Sequence, residues 1–322
     1  MDNDETATLD EGMSYLVAFP RQFSAPAEKS PGAIDHAQWA CEQLERGHIL
    51  FFPRVPFEIT QNDQAFLLTL QQTGARYHKN IAYRPQTKRV SGFAGGRHDA
   101  GEKLRNILGK YSDRSARFLA DLLTPYTSGV RRDFASYRPL EERGRPLRVH
   151  ARNDLLHTDA FPTRPTNGDR ILRVFANINP AQPRVWLTSQ TFSALAPRWA
   201  GPAGLDQCVR LPRTALSRRL RRAGRAIGLP VLDRSPYDQF MLRFHDYLKE
   251  SEEFQRDSPK NRVEFPPGSA WMVFTDMVSH AVLSGQFALE QTFIVSRKVL
   301  VRPEFAPCHV LGKLCGRPVT DD

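Results

Sequence analysis

The stretch that most constrains the fold reads Leu155-Leu-His157-Thr-Asp159-Ala-Phe161. In an extended segment the side chains alternate between two faces, so His157 and Asp159 point the same way. An imidazole and a carboxylate on one face are two of the three ligands that open-sided ferrous iron sites use. A His-x-Asp pair also occurs as an ordinary hydrogen-bonded pair on protein surfaces. The pair therefore predicts a metal site only together with a third ligand from elsewhere in the fold.

His280 is the candidate for that third ligand. It lies in residues 269–283, where two apolar runs flank a short turn-like segment, as expected for a ligand at the end of a sheet strand. The other histidines are weaker candidates. His245 shares a helical face with Phe244 and Leu248, which predicts a packed core histidine.

The segments around both motifs closely resemble the Kdo hydroxylase family. One runs from His157-Thr-Asp159 through Asn177-Ile-Asn-Pro to Pro183-Arg-Val-Trp186, and the other from Phe265-Pro-Pro-Gly-Ser-Ala-Trp271 through His280 to Glu290-Gln-Thr-Phe293. Members of this family are iron(II) and 2-oxoglutarate dependent dioxygenases that hydroxylate the sugar 3-deoxy-octulosonic acid (Kdo) of the lipopolysaccharide inner core. The resemblance covers most of residues 45–300. It implies an enzyme that uses Fe(II), 2-oxoglutarate and O2, with Kdo-bearing lipid A as the substrate.

The resemblance also implies roles for individual residues. It assigns the metal to His157, Asp159 and His280, and places Arg138, Arg173, Arg184 and Trp186 in the active site. Arg173 follows Asp159 by fourteen residues on the next predicted strand, and we expect it to bind the distal carboxylate of 2-oxoglutarate, which a planar guanidinium suits. Arg138 and Arg184 are expected to hold the Kdo carboxylate, and Trp186 to offer a flat wall to the sugar. Ordinary surface ion pairs are the alternative for both arginines.

One part of the chain departs from the commonest pattern of the superfamily, in which a basic residue follows the distal histidine on the last core strand. The corresponding stretch here is Glu290-Gln-Thr292, and the first arginine after His280 is Arg297. Arg297 is therefore a second candidate for binding the cosubstrate. Its alternative role is that of a solvated charge at the end of a strand.

The composition is that of a globular protein, with 40% hydrophobic and 25% charged residues among 322. No apolar stretch approaches the roughly 20 residues that span a bilayer. The first residues are acidic where a secretory signal would be basic, and the four cysteines show no disulfide framework. These features predict a cytoplasmic location. Cys308, His309 and Cys315 lack a fourth ligand at the spacing of a zinc site.

A net charge of +10 favours polyanionic partners. Much of the charge lies in residues 207–230, where arginines and apolar residues alternate at roughly helical spacing. A basic amphipathic helix there could lie on an anionic membrane, bind nucleic acid or simply expose its arginines to solvent. With Kdo-bearing lipid A as substrate, peripheral association with the inner face of the inner membrane is favoured and nucleic acid is an unlikely partner. A homo-oligomer is left open.

We expect an α+β fold with a double-stranded β-helix core, the jelly-roll or cupin-like architecture, and flanking helices. A mobile tail (1–32) would precede one dioxygenase domain (33–322) with the basic helical insertion at 207–230. Helices are predicted at 35–46, 60–72, 104–123 and 237–254, strands at 47–52, 262–265, 269–274 and 280–295, two or three strands within 157–187, and a loop at 77–100. Two alternative functions remain. The protein could be a dioxygenase that acts on nucleic acid or protein, or a non-catalytic cupin-like protein that binds polyanions.

Overall fold

The core of the protein consists of two β-sheets. A computed structural model describes residues 12–19, 35–70, 80–93, 98–210 and 234–321. The strands are β1 (Leu16–Ala18), β2 (Ile49–Phe52), β3 (Ile81–Arg84), β4 (Arg89–Ser91), β5 (Val130–Arg138), β6 (Arg170–Asn177), β7 (Arg184–Thr191), β8 (Asn261–Phe265), β9 (Ala270–Phe274), β10 (Val278–Ser284) and β11 (Ala288–Val295). The large sheet has the order β1-β2-β9-β6-β11-β5-β3-β4, and the small sheet has the order β10-β7-β8.

The two sheets share one cluster of buried side chains. The large sheet contributes Phe175 and Trp271, and the small sheet contributes Trp186 and Val282. The interior strand β9 is buried along its whole length, which explains why its sequence is continuously apolar rather than alternating. These features confirm the predicted α+β fold with a jelly-roll core.

Helices cover the core and begin at recognisable caps. They are α1 (His36–Glu45), α2 (Gln61–Thr69), α3 (His98–Leu122), α4 (Phe192–Trp199), α5 (Leu205–Arg210), α6 (Pro236–Glu250), α7 (Glu252–Asp257) and α8 (Pro307–Cys315). Asp35 caps α1 and Thr60 caps α2, which places both helix starts at the predicted positions. Ser235 and Asp238 form a capping box that fixes the start of α6, the helix that carries His245. Among the described residues, no helix is both long and apolar enough to cross a membrane.

Four expectations differ from the structure. Part of the predicted mobile tail forms β1, which pairs in parallel with β2. The predicted loop at 77–100 contains the hairpin of β3 and β4. The predicted helix at 237–254 is interrupted at Ser251, which ends α6 and caps α7. The predicted strand at 280–295 is two strands, because Gly285 and Phe287 adopt positive φ angles between β10 and β11.

The predicted basic helix lies mostly outside the described residues. Residues 211–233 belong to that part of the chain, so only its beginning, α5, can be compared with the prediction.

Candidate active site

His157 and His280 face each other across an isolated antiparallel β-bridge. Each backbone N–H donates to the other residue's carbonyl, with N···O distances of 3.1 Å and 2.9 Å. The two side chains therefore leave the backbone side by side, and their ring centroids lie 4.8 Å apart. The structure thus brings together two histidines that are 123 positions apart in the sequence.

The backbone also fixes the orientation of both rings. His157 Nδ1 lies 2.7 Å from the carbonyl oxygen of Leu155, and His280 Nδ1 lies 2.9 Å from that of Val278. A carbonyl only accepts, so each Nδ1 carries the proton and each Nε2 keeps a lone pair. Burial lowers the pKa of both imidazoles, and the neighbouring His280 lowers the pKa of His157 further. Both rings are therefore neutral, which is the metal-binding form.

Asp159 supplies a carboxylate beside these rings. Its Oδ1 lies 3.8 Å from His157 Nε2, and its backbone N–H donates to the carbonyl of Thr275 at 2.8 Å. Burial is the largest single influence and would raise the pKa of this carboxyl group. Arg173 and the other groups around the carboxylate together outweigh burial, so the pKa lies well below its usual value. Asp159 Oδ2 lies 3.1 Å from Arg173 Nη2, yet it is buried without a hydrogen bond of good geometry. An ionised carboxylate with an unsatisfied oxygen, next to two Nε2 lone pairs, fits a divalent cation.

A third histidine lies at the same place. The His245 ring centroid is 4.9 Å from that of His157, and His245 Nδ1 donates to the carbonyl of Thr158 at 2.8 Å. The potential ligand atoms of His157, Asp159 and His245 all lie within 4.8 Å of one another. The prediction that His245 is a packed core histidine is therefore wrong: α6 turns this ring toward the site. Helical periodicity could not show this, because the contact depends on how α6 packs against the loop that carries His157 and Asp159.

These residues line a cavity of about 420 Å³. Its described lining contains five cationic side chains and only two carboxylates, Asp159 and Glu290. The cations are Arg138, Arg164, Arg173, Arg184 and Lys249. The excess of positive charge suits ligands with more than one negative group.

A compact, largely buried cluster lies in the wall of this cavity. It consists of Glu290, Arg138, Arg173 and Arg184. Glu290 Oε2 accepts a hydrogen bond from Arg138, and Glu290 Oε1 lies 3.5 Å from Arg173 Nε. Burial would raise the pKa of Glu290, but Arg173 and Arg138 lower it to about 2. Several guanidinium nitrogens remain buried without a hydrogen-bond partner, namely Arg138 Nε, Arg173 Nε, Arg184 Nε and Arg184 Nη2. The cluster therefore has donors to spare for the carboxylates of a ligand.

Arg184 and Trp186 lie on β7, behind the metal ligands. Arg184 is fully buried; its Nη1 donates to the carbonyl of Gly285 at 2.8 Å, and its Nη2 lies 3.8 Å from Glu142. The indole of Trp186 stacks on the His280 ring, with centroids 5.1 Å apart and an angle of 21° between the planes. Trp186 therefore supports His280, and the face of the indole that His280 covers is not open to a sugar.

The structure does not bring Arg297 to this cavity. Its guanidinium donates to the backbone carbonyls of Asn167 and Asp321 and lines a separate cavity beside α8. Arg297 follows β11 directly, where the chain has already passed the cavity. Of the two roles considered for Arg297, that of cosubstrate ligand is therefore excluded by its position, and its carbonyl contacts give it a structural role.

Several residues of the cavity have no signal in the sequence, among them Glu290, Arg164 and Lys249. In the sequence, Glu290 stands out only as a position without an arginine. Its neighbours Arg138 and Arg173 come from β5 and β6, which flank β11 in the sheet. No spacing along the chain reveals such a cluster.

Comparisons with known proteins agree with this geometry. The family described as 3-deoxy-D-manno-oct-2-ulosonic acid (Kdo) hydroxylase matches residues 28–318. A crystal structure of the Kdo hydroxylase KdoO, a non-heme Fe(II) alpha-ketoglutarate dependent dioxygenase, in complex with cobalt(II) is 34% identical, with a TM-score of 0.79 over 95% of this chain and 98% of that chain. Structures of KdoO with alpha-ketoglutarate and Fe(III) and with succinate and Fe(III) are also 34% identical, each with a TM-score of 0.77, and cover 95% of this chain and 97% and 98% of theirs. No curated protein sequence matches the chain.

Proposed function

Because the chain belongs to the Kdo hydroxylase family, we propose that it uses Fe(II), 2-oxoglutarate and O2 to hydroxylate C3 of Kdo on Kdo-bearing lipid A. The observation that carries this proposal is the meeting of His157, Asp159 and His280 at the wall of a cationic cavity. Two neutral imidazoles and one carboxylate on one side of a metal leave the opposite positions open for a cosubstrate and O2.

His157, Asp159 and His280 would hold the iron. We prefer His280 to His245 as the third ligand because the β-bridge that fixes His157 also fixes His280, and both rings are oriented by their own strands. His245 lies on α6, outside the sheets. In this assignment the His245 ring borders the metal and restricts the space around it.

The cationic cluster would bind the two organic substrates. We assign the distal carboxylate of 2-oxoglutarate to Arg173, whose Nε is buried without a hydrogen-bond partner. The same guanidinium also holds Asp159 at 3.1 Å, so it would couple cosubstrate binding to the position of the metal ligand. Arg138 and Arg184, which keep spare donors, are assigned to the Kdo carboxylate.

The protein's own residues contribute positioning and exclusion of water. When bound, iron with 2-oxoglutarate and O2 supplies the oxidising chemistry, and the cosubstrate leaves as succinate and CO2. Glu290 keeps Arg138 and Arg173 in place, because it accepts from one and pairs with the other. Trp186 holds the plane of His280 by stacking. A sugar held by its carboxylate would present one carbon to the metal repeatedly, which is how such sites obtain regioselectivity.

Turnover with defined acceptors tests the proposal. The protein would be loaded with Fe(II) without oxygen, and succinate release would be measured after O2 is added with Kdo-lipid A, duplex DNA or peptide. We expect one hydroxylated Kdo for each succinate with Kdo-lipid A and no coupled product with DNA or peptide. Coupled turnover of DNA or peptide alone would contradict the assignment. Full lipid binding by a His157→Ala, Asp159→Ala protein with no wild-type turnover would favour a non-catalytic binding protein.

For its location, we propose a cytoplasmic enzyme at the inner face of the inner membrane. The support is the net charge of +10 together with an acceptor that carries phosphates and sugar carboxylates.

A further inference from the structure

Lys249 lies in the wall of the cavity, on the last turn of α6. The residue is only 5% exposed, although lysine is rarely buried without a charged partner. Its Nζ donates to the carbonyl oxygen of His150 at 2.9 Å. His150 lines the same cavity, but about half of its side chain is exposed to solvent. Lys249 is thus placed where the cavity meets the surface.

The other four cations of the cavity each have a carboxylate partner. Arg138 pairs with Glu290, Arg164 with Asp133, Arg173 with Asp159 at 3.1 Å, and Arg184 with Glu142 at 3.8 Å. Within the described ranges, Lys249 makes no ion pair with any carboxylate. Glu250 and Asp246, the acidic residues nearest to it on α6, are turned to the surface and face the ring of His150 instead.

An unpaired buried ammonium is costly, because its loss of hydration is only partly replaced by one carbonyl. The cost is visible in its acidity: burial lowers the pKa of Lys249 to about 8, although Asp159, Asp246 and Asp154 act in the opposite direction. A hydrophobic side chain of similar length would cover the same surface without this cost. The charge lies instead in a cavity whose lining is rich in cationic side chains, where it can contribute to the binding of an anionic ligand.

We propose that Lys249 binds a second anionic group of the acceptor, a carboxylate or a phosphate, in addition to the sugar carboxylate held by Arg138 and Arg184. This inference rests on the proposed function and deepens it. The group must belong to the part of the acceptor that extends toward the surface, because Lys249 adjoins the exposed His150, whereas the arginine cluster is built on the sheet strands β5, β6 and β7. Lys249 is therefore a specificity residue that selects an acceptor with two anionic groups.

Steady-state kinetics of Lys249→Met tests this inference. Losing a charged hydrogen bond should raise the KM for Kdo-lipid A by about ten- to a hundredfold, while the KM for 2-oxoglutarate stays within about twofold. The thermal midpoint should stay the same or rise, since the variant removes an unmatched buried charge. Lys249→Arg should restore part of the acceptor affinity. Lys260→Met is the matched control, because Lys260 also donates to backbone carbonyls but lies outside the cavity.

The kinetic results distinguish a failure of the proposed role of Lys249 from a failure of the proposed function. An unchanged acceptor KM, a raised KM for 2-oxoglutarate instead, or a lowered thermal midpoint with both constants altered would each overturn the role of Lys249. Absence of turnover by the wild-type protein with any Kdo acceptor would refute the proposed function itself, which is a different result.

Acceptors of different composition identify the anionic group. Wild-type protein and Lys249→Met would be compared on lipid A with one Kdo, on lipid A with two Kdo units, and on the dephosphorylated form of each. If a second sugar carboxylate is bound, the penalty of Lys249→Met disappears with one Kdo; if a phosphate is bound, it disappears after dephosphorylation. An equal penalty on all four acceptors would place the hydroxylated sugar's own carboxylate at Lys249 and overturn the proposal of a second group.

Discussion

The imidazoles around Asp159 differ in what holds them. His157 and His280 are fixed by a shared β-bridge, whereas His245 depends on the packing of α6. We expect His280→Ala to reduce Fe(II) affinity by about a hundredfold or more, since a ligand is lost. His245→Ala should reduce it by about tenfold, the lower end of the range for residues that surround a metal site. Titration with Fe(II) under anaerobic conditions measures both. A larger loss of Fe(II) affinity in His245→Ala than in His280→Ala would identify His245 as the third ligand.

The guanidinium group of Arg173 is the proposed ligand for the distal carboxylate of 2-oxoglutarate. A lysine cannot reproduce the fork with which arginine binds a carboxylate, so Arg173→Lys should raise the KM for 2-oxoglutarate by about tenfold or more. Arg297→Lys is the control, because Arg297 contacts backbone carbonyls in another cavity. If Arg138→Lys raises that KM and Arg173→Lys does not, the cosubstrate is bound by Arg138 instead.

At the level of elements, the turn between β9 and β10 supports the loop that carries His157 and Asp159. Asp276 in this turn pairs with Arg170 of β6 at 2.8 Å, and both side chains are almost fully buried. The adjacent Thr275 carbonyl accepts from the backbone of Asp159. The buried ion pair attaches the turn to β6, and the turn also binds the backbone of Asp159, so the position of Asp159 depends on the large sheet.

We therefore expect Asp276→Ala to lower the free energy of unfolding by about 3–5 kcal/mol, because Arg170 would be left charged and buried without its partner. Chemical denaturation measures this loss. Combining it with Arg170→Met should recover part of the stability, since the unpaired charge is removed. A loss below about 1 kcal/mol in the single variant would show that the pair does not hold the turn.

Elements were predictable where the sequence carries a local signal. The caps of α1 and α2 and the apolar strand β9 follow from residue type and periodicity. The breaks at Ser251 and between β10 and β11 were not predicted, because each is a short polar interruption, 249–253 and 284–286, after which apolar residues resume at once. In the site, the resemblance indicated His280, but the place of His245 and Lys249 depends on the docking of α6 against the core, which has no signature along the chain.

At the scale of the whole molecule, the net charge of +10 favours anionic surfaces. We expect the protein to bind vesicles that contain anionic phospholipid and to leave them as salt is raised, because the charges on both surfaces are screened. Sedimentation with neutral vesicles is the control. A variant in which Arg218, Arg219, Arg221 and Arg222 are replaced by glutamine tests the basic segment and should bind several times more weakly. Salt-independent binding, or equal binding to neutral vesicles, would contradict this expectation.

The proposed function requires His157, Asp159 and His280 to bind one iron ion beside the cationic cavity. Anomalous diffraction at the iron edge, from crystals prepared with Fe(II) under anaerobic conditions, tests it most directly. We predict a single strong peak about 2.0–2.3 Å from both Nε2 atoms and the carboxylate, by analogy with other divalent metal sites. A peak bound by His245 in place of His280, or no peak at the cavity, would contradict this assignment of the metal ligands.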